Sequence, residues 1–102
     1  MRLTTFQISC IREGVAKYFG STSHAWLFGS RLDGRLRGGD IDLYIEPETQ
    51  NPARLVDAKL KFLCAIHRQI GDQKIDVVLR RTASQQELPI YRIAKKTGEQ
   101  LL

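Results

Sequence analysis

The sequence predicts an α/β fold, an α+β sandwich in which a small mixed β-sheet is packed against helices. Segments with apolar residues at helical spacing alternate along the chain with short runs of β-forming residues. The predicted order is helix, strand, short helix, strand, helix, strand, helix. Because the 102 residues contain no internal repeat, linker or low-complexity tract, residues 1–102 are expected to form a single domain.

The first helix begins after a polar cap, either Thr4 or Thr5. Apolar side chains then recur at spacings of three and four residues, which predicts one apolar face. That face consists of Ile8, Ile11, Val15 and Tyr18 or Phe19. A glycine and several small polar residues in the stretch 19–24 are expected to end the helix.

Two strands are predicted on either side of a glycine-rich segment. Residues 25–28 are continuously apolar, as in a central strand covered on both faces. Gly29 and Ser30 close this strand, and residues 31–40 are expected to form a short helical turn and a loop. Residues 40–46 alternate in polarity. One face carries Ile41, Leu43 and Ile45, and the opposite face carries Asp40, Asp42, Tyr44 and Glu46.

A long helix is predicted over residues 53–70, with one broad face toward the core. The core-facing residues are expected to be Val56, Leu60, Leu63, His67 and Ile70, with Leu55 and Phe62 widening the face. On this prediction His67 is a hydrogen-bonded core residue rather than a catalytic group.

The remaining chain predicts one more strand and one more helix. Residues 74–80 alternate, so that Asp76 lies on the face opposite to that of Ile75, Val77 and Leu79. In the tail, helical spacing followed by a glycine predicts a helix that ends at residue 98. Its apolar positions are Ile90, Ile93, Ala94 and Thr97, and residues 99–102 can add a short edge strand.

Charge and cysteine content restrict the class of protein. Lys and Arg number 16 and Asp and Glu 11, and the net charge of +5 favours an anionic ligand or partner, although a basic surface without function fits equally well. Cys10 and Cys64 lack zinc-site spacing, so both are expected to be free, buried thiols. The sequence contains neither a recognisable signal peptide nor a membrane-spanning segment, which predicts a cytoplasmic protein without a membrane partner.

Three aspartates can meet on one patch of the predicted sheet. A strand places the Cα atoms of Asp40 and Asp42 roughly 6.5 Å apart on one face. If the strand of residues 74–80 pairs beside them, Asp76 joins at about 5 Å. Three such carboxylates repel one another, and a hard divalent cation such as Mg²⁺ relieves that repulsion.

Gly29 and Ser30 indicate a place for phosphate beside this patch. Glycine at a strand end lets an anion approach backbone N–H groups, and the serine hydroxyl adds a donor. A short helix that starts at Ser30 would favour an anion at the same point. Arg31, Arg35 and Arg37 follow as possible phosphate contacts, with a solvated charged face as the alternative. Together these groups suit a nucleoside triphosphate with Mg²⁺.

This pattern resembles the minimal nucleotidyltransferases of the DNA polymerase beta superfamily, in particular the small stand-alone members that are often paired with HEPN toxins. Their signature is a hydrophobic residue followed by Gly-Ser, a spacer of about nine to thirteen residues, an Asp-x-Asp strand and a carboxylate on a later strand. The matching residues are Phe28-Gly29-Ser30, nine intervening residues, Asp40-Ile41-Asp42 and Ile75-Asp76-Val77. The tail spacing of Ile90, Ala94, Gly98 and Leu101 is also similar to the close of those proteins.

The resemblance implies a polymerase-beta-type fold and a nucleotidyltransferase that places AMP from ATP on a hydroxyl of a partner protein. Asp40, Asp42 and Asp76 would be the catalytic metal ligands for two Mg²⁺ ions. Gly29 and Ser30, with Arg31, would bind the triphosphate. A HEPN-type toxin would be the partner, with this chain as the antitoxin, because a chain of this size is expected to take its acceptor surface from another molecule or a second copy.

Other interpretations remain open at this stage. Asp40 and Asp42 could form a polar strand end, and Asp76 could pair with Lys74 or Arg80. The chain could be a non-catalytic antitoxin or adaptor that neutralises its partner by contact, or an enzyme that modifies a small molecule. Nucleic acid is not expected as a partner, because no alternation of aromatic and basic residues is present.

Overall fold

The computed structural model describes residues 3–28, 41–71, 74–80 and 89–102, which form three helices and four strands. These elements are α1 (Thr5–Phe19), β1 (His24–Phe28), β2 (Ile41–Glu46), α2 (Pro52–Ile70), β3 (Ile75–Leu79), α3 (Pro89–Thr97) and β4 (Glu99–Gln100). The prediction of a small α/β sandwich is confirmed. The predicted short helical turn at 31–40 lies outside the described residues. Within the described ranges, no helix combines the length and apolarity that crossing a bilayer requires.

The sheet is mixed, as predicted, and its strand order is β3-β2-β1-β4. β1 pairs antiparallel with β2 and with β4, whereas β2 and β3 are parallel. A parallel pair needs a crossover connection, and α2 supplies it between β2 and β3. The short edge strand predicted near the end of the chain is therefore confirmed as β4.

Helices cover both faces of the sheet. On one face, Ile41, Leu43 and Ile45 join the core that the sheet forms with α1 and α2. On the other face, Tyr44 packs in a second cluster with Tyr91 of α3. The alternation predicted for β2 is thus confirmed, and both sets of side chains lie under a helix.

The start of α1 confirms the predicted cap. Thr4 is the N-cap residue, and its side chain accepts a hydrogen bond from the backbone N–H of Gln7. The Gln7 side chain in turn accepts from the Thr4 backbone at 2.8 Å, which completes a capping box. Ile11, Val15 and Phe19 are buried on the predicted face.

The buried face predicted for α2 is confirmed in part. Leu55 and Phe62 are buried and Leu63 and Ile70 are half-buried against the core, as predicted. Val56 and Leu60 are instead 64% and 61% exposed and His67 is exposed, while Ala58 and Ile66 are buried in their place. The helix carries two neighbouring apolar stripes, and only one of them can face α1 and the sheet. Gly14 of α1 decides the choice, because its missing side chain leaves room for the ring of Phe62.

Two smaller predictions also need correction. In α3 the buried residues are Tyr91 and Ala94, while Ile93 is exposed, because the aromatic ring of Tyr91 packs against Tyr44. The side chain of Ile90 lies outside the described part of the chain. Cys10 is a free buried thiol as predicted, but Cys64 is exposed because it lies on the outer side of α2.

Candidate functional site

Asp42 of β2 and Asp76 of β3 are direct neighbours across the parallel strand pair. Their Cα atoms are register partners, which places them about 4.8 Å apart, the spacing of adjacent strands. Both point to the α3 side of the sheet, since Ile41, Leu43 and Ile75 face the opposite core. The predicted approach of these two carboxylates therefore matches the strand register.

The row that contains this pair lies at one end of the sheet. Phe28, the last residue of β1, is the register partner of Asp42 on its other side. Asp42 is half-buried and Asp76 is exposed. The pair therefore lies at the end of the sheet, with Asp76 in contact with solvent.

The other predicted site residues cannot be placed. Asp40, Gly29, Ser30 and Arg31 lie outside the described residues, as do Arg35 and Arg37. The described residues that flank this segment are Phe28 and Ile41, and both lie at the end of the sheet that carries Asp42 and Asp76. The segment predicted to bind phosphate thus leaves and re-enters the sheet beside the carboxylate pair.

The chemistry of the pair fits a magnesium ion. Two carboxylates on adjacent strands repel each other, and Mg²⁺ is usually held by one or two carboxylates together with substrate phosphates. No group of three metal-ligating side chains occurs within the described ranges. The third predicted ligand, Asp40, is two residues from Asp42 along the chain and lies outside those ranges.

The next row of side chains along the same face of the sheet is aromatic and buried. The rings of Trp26 and Tyr44 are 5.3 Å apart, and those of Tyr44 and Tyr91 are 5.5 Å apart. Tyr44 is fully buried, so it forms part of the core beneath α3 and offers no surface to a nucleotide base. These rings hold α3 against β1 and β2.

A charged cluster that sequence reasoning missed lies beyond this aromatic row. Glu46 accepts a hydrogen bond from the Tyr44 hydroxyl at 2.6 Å and forms ion pairs with Lys95 at 3.3 Å and Arg80 at 3.6 Å. Lys95 also lies 5.3 Å from the centre of the Trp26 ring. The cluster joins α3 to β2 and to the end of β3. No local pattern could reveal it, because its members are far apart in sequence.

The pKa of Glu46 reflects these contacts. Burial alone would raise it, but the hydrogen bond from Tyr44 and the charges of Lys95 and Arg80 outweigh burial and lower the pKa below its ordinary value. Burial and the bond to Glu46 raise the pKa of Tyr44. Tyr44 therefore stays protonated and serves as the donor to an ionised Glu46.

Replacing Glu46 with glutamine is expected to lower the free energy of unfolding by about 1–2 kcal/mol at neutral pH, because Lys95 and Arg80 lose their counter-charge. Since the folded-state pKa is lowered, the contribution of ionised Glu46 is complete above the unfolded value of about 4.3 and is lost as the pH falls through the folded-state value. Urea unfolding of both proteins should show a difference at neutral pH that shrinks as the pH is lowered below the unfolded-state value of about 4.3. A difference that stays the same at every pH would contradict this role.

A cavity of about 510 Å³ lies elsewhere on the molecule. It opens between the C-terminal end of α1 and the N-terminal part of α2, and Lys17, Tyr18, Arg54 and Lys61 line it. Because α1 ends where β1 begins, this cavity is at the end of the sheet opposite to Asp42 and Asp76. It is not part of the candidate site.

A scan against protein-family models finds no match, and no curated protein shows significant similarity to the chain. The motif residues and the geometry around Asp42 and Asp76 are therefore the observations that bear on function.

Proposed function

We propose that the protein is a Mg²⁺-dependent nucleotidyltransferase that moves a nucleotidyl group, AMP from ATP, to a hydroxyl of a partner protein. The observation that supports this function is the side-by-side position of Asp42 and Asp76 on parallel strands. These aspartates occupy two of the three carboxylate positions of the sequence motif. The Gly-Ser segment follows Phe28, and Asp40 precedes Ile41. Phe28 and Ile41 lie at the same end of the sheet as the two aspartates.

Each aspartate has its own role in this proposal. Asp40 and Asp42 would hold two Mg²⁺ ions, and Asp76 would complete the ligand set on the side of the acceptor hydroxyl. When bound, two Mg²⁺ ions would supply charge neutralisation for the phosphates and would lower the pKa of the attacking hydroxyl. A bond forms between the acceptor oxygen and the α-phosphorus while the bond to the β-phosphate breaks. Pyrophosphate would leave, and Asp76 would accept the hydroxyl proton.

The triphosphate would be bound by Gly29, Ser30 and Arg31. Backbone N–H groups at a glycine and a serine hydroxyl suit phosphate oxygens, and an arginine adds a charge-assisted donor. The net charge of +5 favours an anionic substrate of this kind.

The acceptor is proposed to be a HEPN-type toxin, with this protein as its antitoxin. That partner comes from the family resemblance, and the openness of the site is compatible with it. Asp76 is exposed and belongs to β3, which is the last strand of the described sheet. A tyrosine on the surface of another protein can therefore approach this carboxylate without any rearrangement of the sheet.

Isothermal titration with ATP tests the nucleotide site directly. We expect micromolar binding in the presence of Mg²⁺ and no measurable binding when the metal is removed with EDTA, because the phosphates bind through the ions. Binding that is equal with and without Mg²⁺ would contradict the metal assignment. No binding in either condition would overturn the proposal and would favour the non-catalytic adaptor.

A further inference from the structure

β3 is an edge strand of the described sheet. It pairs with β2 on one side, and none of the other described strands lies on its outer side. The stretch Ile75–Leu79 is apolar except for Asp76, and it contains neither proline nor lysine, the residues that commonly protect an exposed edge. Val77, Val78 and Leu79 are half-buried. Both faces of the strand therefore retain apolar surface that an added strand can cover.

The outward backbone groups of β3 follow from its bonds to β2. The N–H of Ile41 donates to the carbonyl of Lys74 at 2.8 Å, and the N–H of Arg80 donates to the carbonyl of Ile45 at 3.0 Å. Because bonding direction alternates along a strand, every second residue between these two bonds directs both its N–H and its carbonyl away from β2. These residues are Ile75, Val77 and Leu79.

Asp76 lies at a defined position relative to any strand added at this edge. An antiparallel strand bonded to Val77 would place one of its residues directly opposite Asp76, in a non-hydrogen-bonded pair whose Cα atoms are about 4.5 Å apart. The side chain of that residue would lie on the same face of the sheet as Asp76. A serine, threonine or tyrosine at this position would therefore bring its hydroxyl to the carboxylate.

Charge indicates what kind of strand fits. Lys74 and Arg80 flank β3 and lie on the same face of the strand as Asp76. A second copy of the chain, paired antiparallel over the whole of β3, would set Lys74 opposite Arg80 at both ends, which is unfavourable. An extended segment of another protein with acidic residues at these two positions would instead be attracted.

We propose that β3 takes up an extended segment of another protein as an added antiparallel strand, and that this segment presents the acceptor hydroxyl opposite Asp76. The strand pairing depends on the backbone geometry alone, whereas the role of the hydroxyl rests on the proposed function. In that role the hydroxyl oxygen would bond to the α-phosphorus, its proton would pass to Asp76, and pyrophosphate would leave. The register of the added strand would then determine which residue of the partner is modified.

A capped peptide is the probe for the strand pairing. Its sequence, Glu-Val-Gln-Val-Tyr-Val-Glu, places the glutamates opposite the two flanking cations and the single hydroxyl opposite Asp76. In the free chain, hydrogen exchange followed by NMR should be faster at the amides of Val77 and Leu79 than at those of Asp76 and Val78, which bond to β2. Saturation with the peptide should protect the Val77 and Leu79 amides.

Leu79→Pro tests the contribution of one outward N–H. Proline at this position removes that donor and leaves the bonds from β3 to β2 in place. Its matched control, Leu79→Ala, also loses the leucine side chain but keeps the N–H. We expect the affinity for the peptide to fall by about tenfold in Leu79→Pro and to stay within about twofold of the wild type in Leu79→Ala.

Two results would overturn the strand pairing. One is equal affinity of Leu79→Pro and Leu79→Ala for the peptide. The other is protection of the Val77 and Leu79 amides in the free chain, because another part of this chain would then occupy the edge. Hydrogen exchange in the unaltered chain decides the question by itself if Leu79→Pro does not fold.

Incubation of the chain and peptide with ATP and Mg²⁺ tests the acceptor position separately. Mass spectrometry should find AMP on the tyrosine of this peptide, and not on a peptide whose tyrosine is moved by one position to the other face of the sheet, Glu-Val-Gln-Tyr-Val-Val-Glu. Modification of both peptides or of neither, by a chain that binds ATP, would overturn the placement of the hydroxyl opposite Asp76. A chain that binds the peptide but not ATP would overturn the proposed function and leave the strand pairing intact.

Discussion

Replacing Asp42 with asparagine is expected to abolish Mg²⁺-dependent ATP binding and nucleotidyl transfer while the fold remains intact. The affinity for the metal–nucleotide complex should fall by about 100-fold or more, since even groups one shell away from a metal contribute about 10–100-fold. Because Asp42 lies beside Asp76 on the neighbouring strand, removal of its charge also relieves repulsion in the metal-free protein. The variant should therefore remain folded without Mg²⁺, which circular dichroism can show.

The control for this variant is Asp57→Asn. Asp57 is an exposed carboxylate on α2 that pairs with its helical neighbour Lys61 at 3.0 Å. Its loss should change neither ATP binding nor transfer, and the helical pair is worth about 0.3–0.5 kcal/mol. An Asp42→Asn protein that unfolds in the absence of metal would assign Asp42 a structural role instead. One that binds ATP normally would remove it from the metal site.

Phe62→Ala is expected to have the largest effect on stability, a loss of about 3–5 kcal/mol in the free energy of unfolding. Phe62 is fully buried, and its ring meets that of Phe19 edge-on with centroids 5.5 Å apart. The ring also fills the space above Gly14, so its removal leaves a cavity between α1 and α2 that the backbone cannot close. Urea denaturation followed by circular dichroism measures the loss.

Leu60→Ala is the matched control, two residues away on the same helix. Leu60 is 61% exposed, so the change should alter the free energy of unfolding by no more than about 0.5 kcal/mol in the isolated chain. If Leu60→Ala were the more destabilising of the two, α2 would be rotated so that Val56 and Leu60 face the core. The pair of variants therefore tests the orientation of the helix directly.

The strands and the carboxylate pair were predictable because both depend on local alternation. Ile41, Leu43 and Ile45 fix which face of β2 joins the core with α1 and α2, and Asp42 must then point the other way. Ile75 and Asp76 follow the same rule in β3. Placing Asp42 and Asp76 side by side then required only the assumption that β2 and β3 pair.

The face of α2 was not predictable in the same way. Apolar periodicity identifies a helix. When a helix carries two overlapping apolar stripes, periodicity alone does not tell which of them is buried, and the neighbouring elements of the fold decide. That neighbour is Gly14 on α1, 48 residues before Phe62, and nothing in the local sequence links them. The ion pairs of Glu46 with Arg80 and Lys95 are likewise long-range and follow from the tertiary fold alone.

The parallel register of β2 and β3 makes the placement of Asp76 a consequence of apolar burial. A slip of one residue along β3 would turn Ile75, Val77 and Leu79 away from α1 and α2 and would send a carboxylate into that core. The cost of burying an unpaired charge there excludes the slipped arrangement. The spacing of the two aspartates is thus set by three side chains on the far side of the sheet. Substitutions at those positions, such as a polar residue for Val77, can disturb the carboxylate pair without contacting it.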